Sequence, residues 1–158
     1  MNRIRIAPSP SSATMLRFVL LLALLGLVML AHPSGTARAA EFTAVNVAEL
    51  IAAINDANDE NLHPGADTIT LTATTYSVTQ ADNASSILGD SNAFPIITSD
   101  IPITYAGQGQ ASITRGGQTA MRFFEVLPGG YLNLENIVLS NGQAQLGGAI
   151  LNSGTLGL

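Results

Sequence analysis

Two short segments near the end of the chain, Gly130-Tyr131-Leu132-Asn133-Leu134 and Gly154-Thr155-Leu156-Gly157-Leu158, share the pattern G-x-L-x-L, offset by 154 − 130 = 24. That offset is too long for a hairpin and fits one coil of a parallel β-solenoid, in which each turn of chain stacks on the one before. The residues between the two copies agree. Leu132 and Leu134 alternate onto one face, and Glu135-Asn136 turns. Ile137 and Leu139 reset the phase, and Ser140-Asn141-Gly142 turns again. Strands of two or three inward residues separated by Asn/Gly corners predict a three-sided coil. Asn suits such corners because it tolerates the left-handed region and hydrogen-bonds to its neighbours.

Upstream the same alternation recurs from Asp67 onward. Ile69 and Leu71 share a face, as do Tyr76 and Val78, then Ile101, Ile103 and Tyr105, then Ile113, then Phe124 and Val126. Strands this short and this often interrupted exclude a helical bundle, leaving a sandwich, a barrel or a solenoid; the repeat selects the solenoid. Gly107-Gln108-Gly109 and Gly116-Gly117 read as strand corners, since no helix follows either to make a phosphate loop. The polar, Ser-rich stretch from Ala81 to Asn92 reads as a loop leaving the stack.

One helix is expected, from Asn46 to Ala57. Val47, Leu50, Ile51 and Ile54 form one apolar stripe, and Asn46 with Glu49 forms an N-cap and its capping-box partner. Asn58-Asp59-Glu60-Asn61 and then Pro64-Gly65 end it. A lone amphipathic helix must bury its stripe on something, and an open solenoid end needs cover, so the helix is expected to cap the first coil. No second cap is evident, and the repeat is most regular where the sequence stops at Leu158; the chain therefore reads as an N-terminal fragment of a longer frame.

The segment 1–39 reads as an export signal. Arg3, Arg5 and Arg17 precede an apolar run from Phe18 to Ala31, shorter than the ~20 residues a spanning helix needs. Pro33, Gly35 and the small-residue triplet Ala37-Arg38-Ala39 follow, so cleavage is expected after Ala39 or Ala40. The division is then 1–39 signal peptide, 40–66 segment with the cap helix, and 67–158 β-helix coils. Removing the signal takes the charge from −5 to 2 − 11 = −9. Two Arg cannot neutralise many phosphates, which excludes nucleic acid as a partner. With no Cys in the chain, disulfides, thiolate metal sites, a Cys nucleophile and a lipoprotein anchor are excluded.

Three stretches carry a family resemblance. Phe42 to Tyr76 resembles the opening of secreted bacterial right-handed parallel β-helix proteins, in which a helix of the type LREAINAAN precedes PGADTITL-AGTY. The matching residues are Leu50, Ala53, Ile54, Ala57 and Asn58, then Pro64-Gly65-Ala66-Asp67-Thr68-Ile69. Many relatives begin that helix with Cys-Ser-Leu-Arg-Glu-Ala, where this chain has Val47-Ala48-Glu49-Leu50-Ile51-Ala52; the usual Gly before Thr75-Tyr76 is Thr74. Ile101 to Arg115 resembles the ITI-GNGATITR coil of the same proteins. Gly147-Gly148-Ala149-Ile150-Leu151-Asn152-Ser153-Gly154 resembles the Gly-Gly-Ala-Ile repeat of polymorphic outer-membrane and autotransporter-like surface proteins, without their Phe-x-x-Asn partner. The resemblance implies an all-β, pectate-lyase-like solenoid, on which adhesins and polysaccharide lyases both occur.

Candidate chemistry is sparse. A pectate-lyase site would need clustered carboxylates for calcium and a base for the proton α to the sugar carboxylate; the basic residues on offer are Arg115, Arg122 and His63. No second Arg or Asp cluster lies one coil away, so both Arg read as solvated strand-end residues and His63 as a loop residue without metal partners. The densest acids, Asp56, Asp59, Glu60 and Asp67, are a weak calcium candidate set. They lack the D-x-[DN]-x-[DN]-G loop and read more simply as a solvated turn. No catalytic residue and no cofactor is assigned. The expected function is a secreted or surface-displayed, non-enzymatic adhesin, passenger or stalk. Its partner would be an extracellular polysaccharide or a host or neighbouring cell surface, with membrane contact only through the export signal or a C-terminal anchor. The alternative is a polysaccharide lyase or glycoside hydrolase whose site lies in further coils.

Overall fold

The computed structural model describes residues 39–87 and 89–158; the signal-peptide reading falls on residues 1–38, outside the described residues. The chain opens with strand β1 (Glu41–Ala44) and helix α1 (Val47–Ala57), then β2 (Thr68–Leu71) and β3 (Thr75–Val78). A small hairpin, β4 (Asn83–Ala84) and β5 (Ser91–Asn92), leads to β6 (Asp100–Tyr105), β7 (Ala111–Arg115) and β8 (Phe124–Val126). The chain continues through β9 (Tyr131–Glu135), β10 (Ile137–Ser140), β11 (Ile150–Asn152) and β12 (Thr155–Gly157).

These strands stack as three parallel sheets, one per side of the coil: β1-β2-β6-β9-β12, β3-β7-β10 and β8-β11. The third side is extended by the parallel bridges Asn92 to Arg122 and Ile97 to Val126. The chain is a parallel β-solenoid of about four turns. Leu132 lies beside Leu156, so one G-x-L-x-L repeat is one coil. Earlier steps are longer: Phe42 to Ile69 is 69 − 42 = 27 and Ile69 to Ile103 is 103 − 69 = 34, against 24.

Inward alternation builds the core. Ile69, Leu71, Tyr76, Val78, Ile101, Ile103, Ile113, Phe124, Val126, Leu132 and Leu134 are all buried, each face being the one the sequence assigns. Two corners adopt the left-handed conformation on non-glycine residues, Asn136 (φ 58°) and Asn141 (φ 64°), the two Asn expected there. At a third corner Gly154 sits on Gly130. A Cβ on Gly130 would stand 2.6 Å from the Ile97 carbonyl oxygen, so the Gly that opens each G-x-L-x-L copy is set by stacking distance.

Helix α1 packs against β1, β2, β3 and β6 and covers the first coil. Its buried face is Leu50, Ala53, Ile54 and Ala57, with Val47 and Ile51 only half-buried. The face is turned from the predicted stripe because two alanines let the helix approach closely and count as core. The capping box forms with one change. Asn46 Oδ1 accepts from the Glu49 amide at 2.9 Å, while Glu49 Oε2 accepts from the Val45 amide rather than that of Asn46. Strand β1 carries no sequence signal of its own; β2 templates it, residue by residue.

Candidate functional site

Two of the three fully buried charged residues among the described residues, Arg122 and Glu125, lie together on the third side. Residues Met121 to Val126 are buried without interruption, so both faces of this segment are covered. The cover is the stretch from Ala81 to Asn92, which does not leave the stack as its polarity suggests. Asn83–Ala84 and Ser91–Asn92 pair antiparallel, and the hairpin lies over β8. Phe94, at its return, stacks on Phe124 with ring centroids 5.0 Å apart.

Polar side chains hold the hairpin down. Arg122 Nη2 meets Asp90 Oδ2 at 2.6 Å and Arg122 Nη1 donates to Ser85 Oγ at 3.0 Å, with Glu125 Oε2 at 3.8 Å from the same nitrogen. Glu125 accepts from the Ser86 hydroxyl and amide at Oε1, and from Asn92 Nδ2 at 2.9 Å at Oε2. Asn92 Nδ2 also donates to Asn83 Oδ1 at 2.8 Å, and Asp90 Oδ2 accepts from the Gln145 amide at 3.2 Å. Burial raises the carboxyl pKa of Glu125, but the hydrogen bonds from Ser86, Asn92 and Ser85 outweigh it, leaving the group below its usual range. Arg122 is fully buried, which corrects its reading as a solvated strand-end residue: the hairpin covers it, and two carboxylates share its charge.

The chemistry open to this cluster is limited. A general base needs a lone pair facing substrate, and Glu125 is 1% exposed with both oxygens bonded inside the protein. The arrangement is a tether that fixes an irregular coil edge. Its only sequence signal is the unbroken Met121-Arg122-Phe123-Phe124-Glu125-Val126 run, in which alternation fails because both faces are buried.

The other candidates are spread apart. Arg115 is half-buried and closes a corner, its Nε donating to the Asn141 carbonyl at 2.7 Å and its Nη1 to the Gly117 carbonyl at 2.7 Å. His63 lies in a loop with its ring edge-on to Phe42, centroids 5.3 Å apart. Of the four acids, Asp56 and Glu60 are exposed and Asp59 half-buried. Asp59 Oδ1 accepts from the Asn61 amide and Glu60 Oε2 from the Gly65 amide. Asp67 is fully buried and accepts from the Ala40 amide at 2.6 Å, so it belongs to no solvated turn. Among the described residues, no three His, Asp or Glu side chains converge as metal ligands.

The Gly147-Gly148-Ala149-Ile150 stretch shapes the third side. Gly147 is left-handed (φ 57°), the Ala149 carbonyl accepts from Phe123 and Phe124, and Ile150 and Asn152 lie beside Phe124 and Val126. Asn152 Oδ1 then accepts from the Gly154 amide at 3.1 Å.

The outward positions form rows across coils. On the first side Thr43, Thr70, Thr104 and Glu135 lie in register, as do Pro102, Asn133 and Gly157. On the second side the row is Ser77, Thr114 and Ser140. A groove of about 390 Å³ runs between α1 and the segment Ser77 to Asp82, floored by Val47, Ile51 and Val78. Among the described residues no helix is long and apolar enough to cross a membrane. Comparison with family models, curated proteins and solved structures finds no match to this chain.

Proposed function

We propose that this is an exported, surface-displayed or secreted β-helix of the right-handed, pectate-lyase-like kind, acting as a non-enzymatic adhesive or structural module on polysaccharide or a cell surface. The observation that carries the reading is the contrast between outside and inside. Successive coils present the hydroxyl rows of Thr43, Thr70 and Thr104 and of Ser77, Thr114 and Ser140, while both guanidinium groups of the described residues are consumed in holding corners and the hairpin. Rows of neutral donors and acceptors suit weak, multivalent contacts with sugar hydroxyls. The net charge of −9 after loss of residues 1–39 disfavours nucleic acid.

Export is supported by the order of basic, apolar and small residues before Ala40. The likeness to Cys-Ser-Leu-Arg-Glu-Ala-type openings and Gly-Gly-Ala-Ile repeats points to the same class of surface protein.

The test is to express the full chain in an export-competent bacterium, fractionate it, and assay the exported protein on acidic and neutral polysaccharides. Retention without new reducing ends or unsaturated uronate supports the proposal. Product formation would replace it with the lyase or hydrolase reading.

A further inference from the structure

Asp67 presents a carboxylate with more binding capacity than its surroundings use. The residue is fully buried. Its Oδ1 accepts from the Ala40 amide at 2.6 Å, and its Oδ2 has no hydrogen-bond partner among the described residues. Its own amide donates to the Asp100 carbonyl at 2.9 Å, while Thr68 next to it donates to the Ala40 carbonyl at 3.0 Å. Ala40 is thus fixed opposite Asp67 at the head of the first sheet, half-buried, with Ala39 exposed beyond it. A peptide N–H offers one donor and no charge, and a buried carboxylate with so little compensation is costly. An α-ammonium at the same nitrogen would bring three donors and a full positive charge.

We propose that the mature chain begins at Ala40 and that its new α-ammonium forms a buried ion pair with Asp67, so that processing itself completes the first coil. The inference rests on the export reading above and sharpens it. Of the two cuts the small residues permit, hydrolysis after Ala39 leaves the nitrogen already within 2.6 Å of Asp67. Water adds its hydroxyl to the Ala39 carbonyl carbon, the C–N bond breaks, and the Ala40 nitrogen departs as the protonated amine. A cut after Ala40 would remove both the Asp67 contact and the carbonyl that Thr68 uses. A cut one residue earlier would displace the amine by about 3.8 Å along the chain.

The chain contains no lysine, so residues 40–158, once exposed by processing, carry a single amine, which makes the pair directly measurable. Intact mass and N-terminal sequencing of the exported protein should give Ala40 as the first residue. A chain starting at any other residue overturns the pairing and leaves export standing; an exported or membrane-held chain that keeps residues 1–39 overturns both. In the processed protein, acetylation by an N-hydroxysuccinimide ester should be at least about tenfold slower when folded than in urea, because a paired amine stays protonated. Asp67→Asn should bring the two rates together. Equal folded and unfolded rates in the unaltered protein overturn the pair without any variant, and unchanged protection in a folded Asp67→Asn protein does the same.

Discussion

The first and last coils close by different means. The long step from Ile69 to Ile103 is held by long-range polar bonds. Asn58 reaches from the end of α1 to the returning chain, donating to the Ile96 carbonyl at 2.8 Å and accepting from the Thr98 amide at 2.9 Å. Tyr76 donates to the Ala44 carbonyl at 2.6 Å and accepts from the Thr72 and Ala73 amides. The shorter step from Leu132 to Leu156 turns on left-handed Asn136, Asn141 and Gly147 with no buried charge. A long irregular edge thus needs buried side-chain bonds to hold it, whereas a short coil closes on left-handed corners backed by exposed side-chain bonds such as Arg115 to the Asn141 carbonyl. Burial follows the same divide: Leu50 and Ile54 are fully buried beneath the first coil's cap, while Ile150 and Leu156 are only partly buried.

The contrast can be broken most severely at the tether. Arg122→Leu leaves Glu125 and Asp90 without their shared cation and should cost about 3–5 kcal/mol in urea unfolding. Ile54→Ala should cost about 2–5 kcal/mol and Leu156→Ala well under half as much; equal losses would erase the difference between the coils. Tyr76→Phe leaves the Ala73 amide without its acceptor, while the Thr72 amide keeps its bond to the Ala44 carbonyl, and should cost about 1–3 kcal/mol.

The pH response should be smaller and signed. Glu125 is held below its ordinary 4.5, so its contribution is present above that value and lost as pH falls through the folded value. Glu125→Gln should flatten the stability profile as pH falls below the ordinary 4.5, measured by thermal melts on either side of that value. Least of all, Asn141→Ala should cost about 1–2 kcal/mol and Asn141→Gly well under about 1 kcal/mol, since Gly keeps the left-handed backbone and gives up only an exposed bond to Thr114 Oγ1.

Much of the last coil was legible in the chain because its determinants are local. Leu132 and Leu134, the Asn136 and Asn141 corners and the G-x-L-x-L offset lie within a few residues of one another or repeat at a fixed interval. Beyond the broken alternation of Met121 to Val126, the tether was not legible, its partners least of all. Asp90 to Arg122 and Asn58 to Thr98 join positions 32 and 40 residues apart, and nothing near Ser85, Ser86 or Asp90 signals that their polarity is spent inside the protein. Asp67 was misplaced for the same reason: counted with its acidic neighbours it reads as part of a solvated turn, whereas its partner, the Ala40 amide, lies 27 residues upstream.

Coil length has a mechanical consequence. Adjacent strands stand about 4.8 Å apart, so the five-stranded side is only about 19 Å tall. Drawn out as an α-helix, the stretch from Leu132 to Leu156 alone would reach about 36 Å, yet in the stack it adds a single strand spacing. A column built this way gains little reach from added chain; it gains girth, resistance to bending and one more outward rung of hydroxyls per coil.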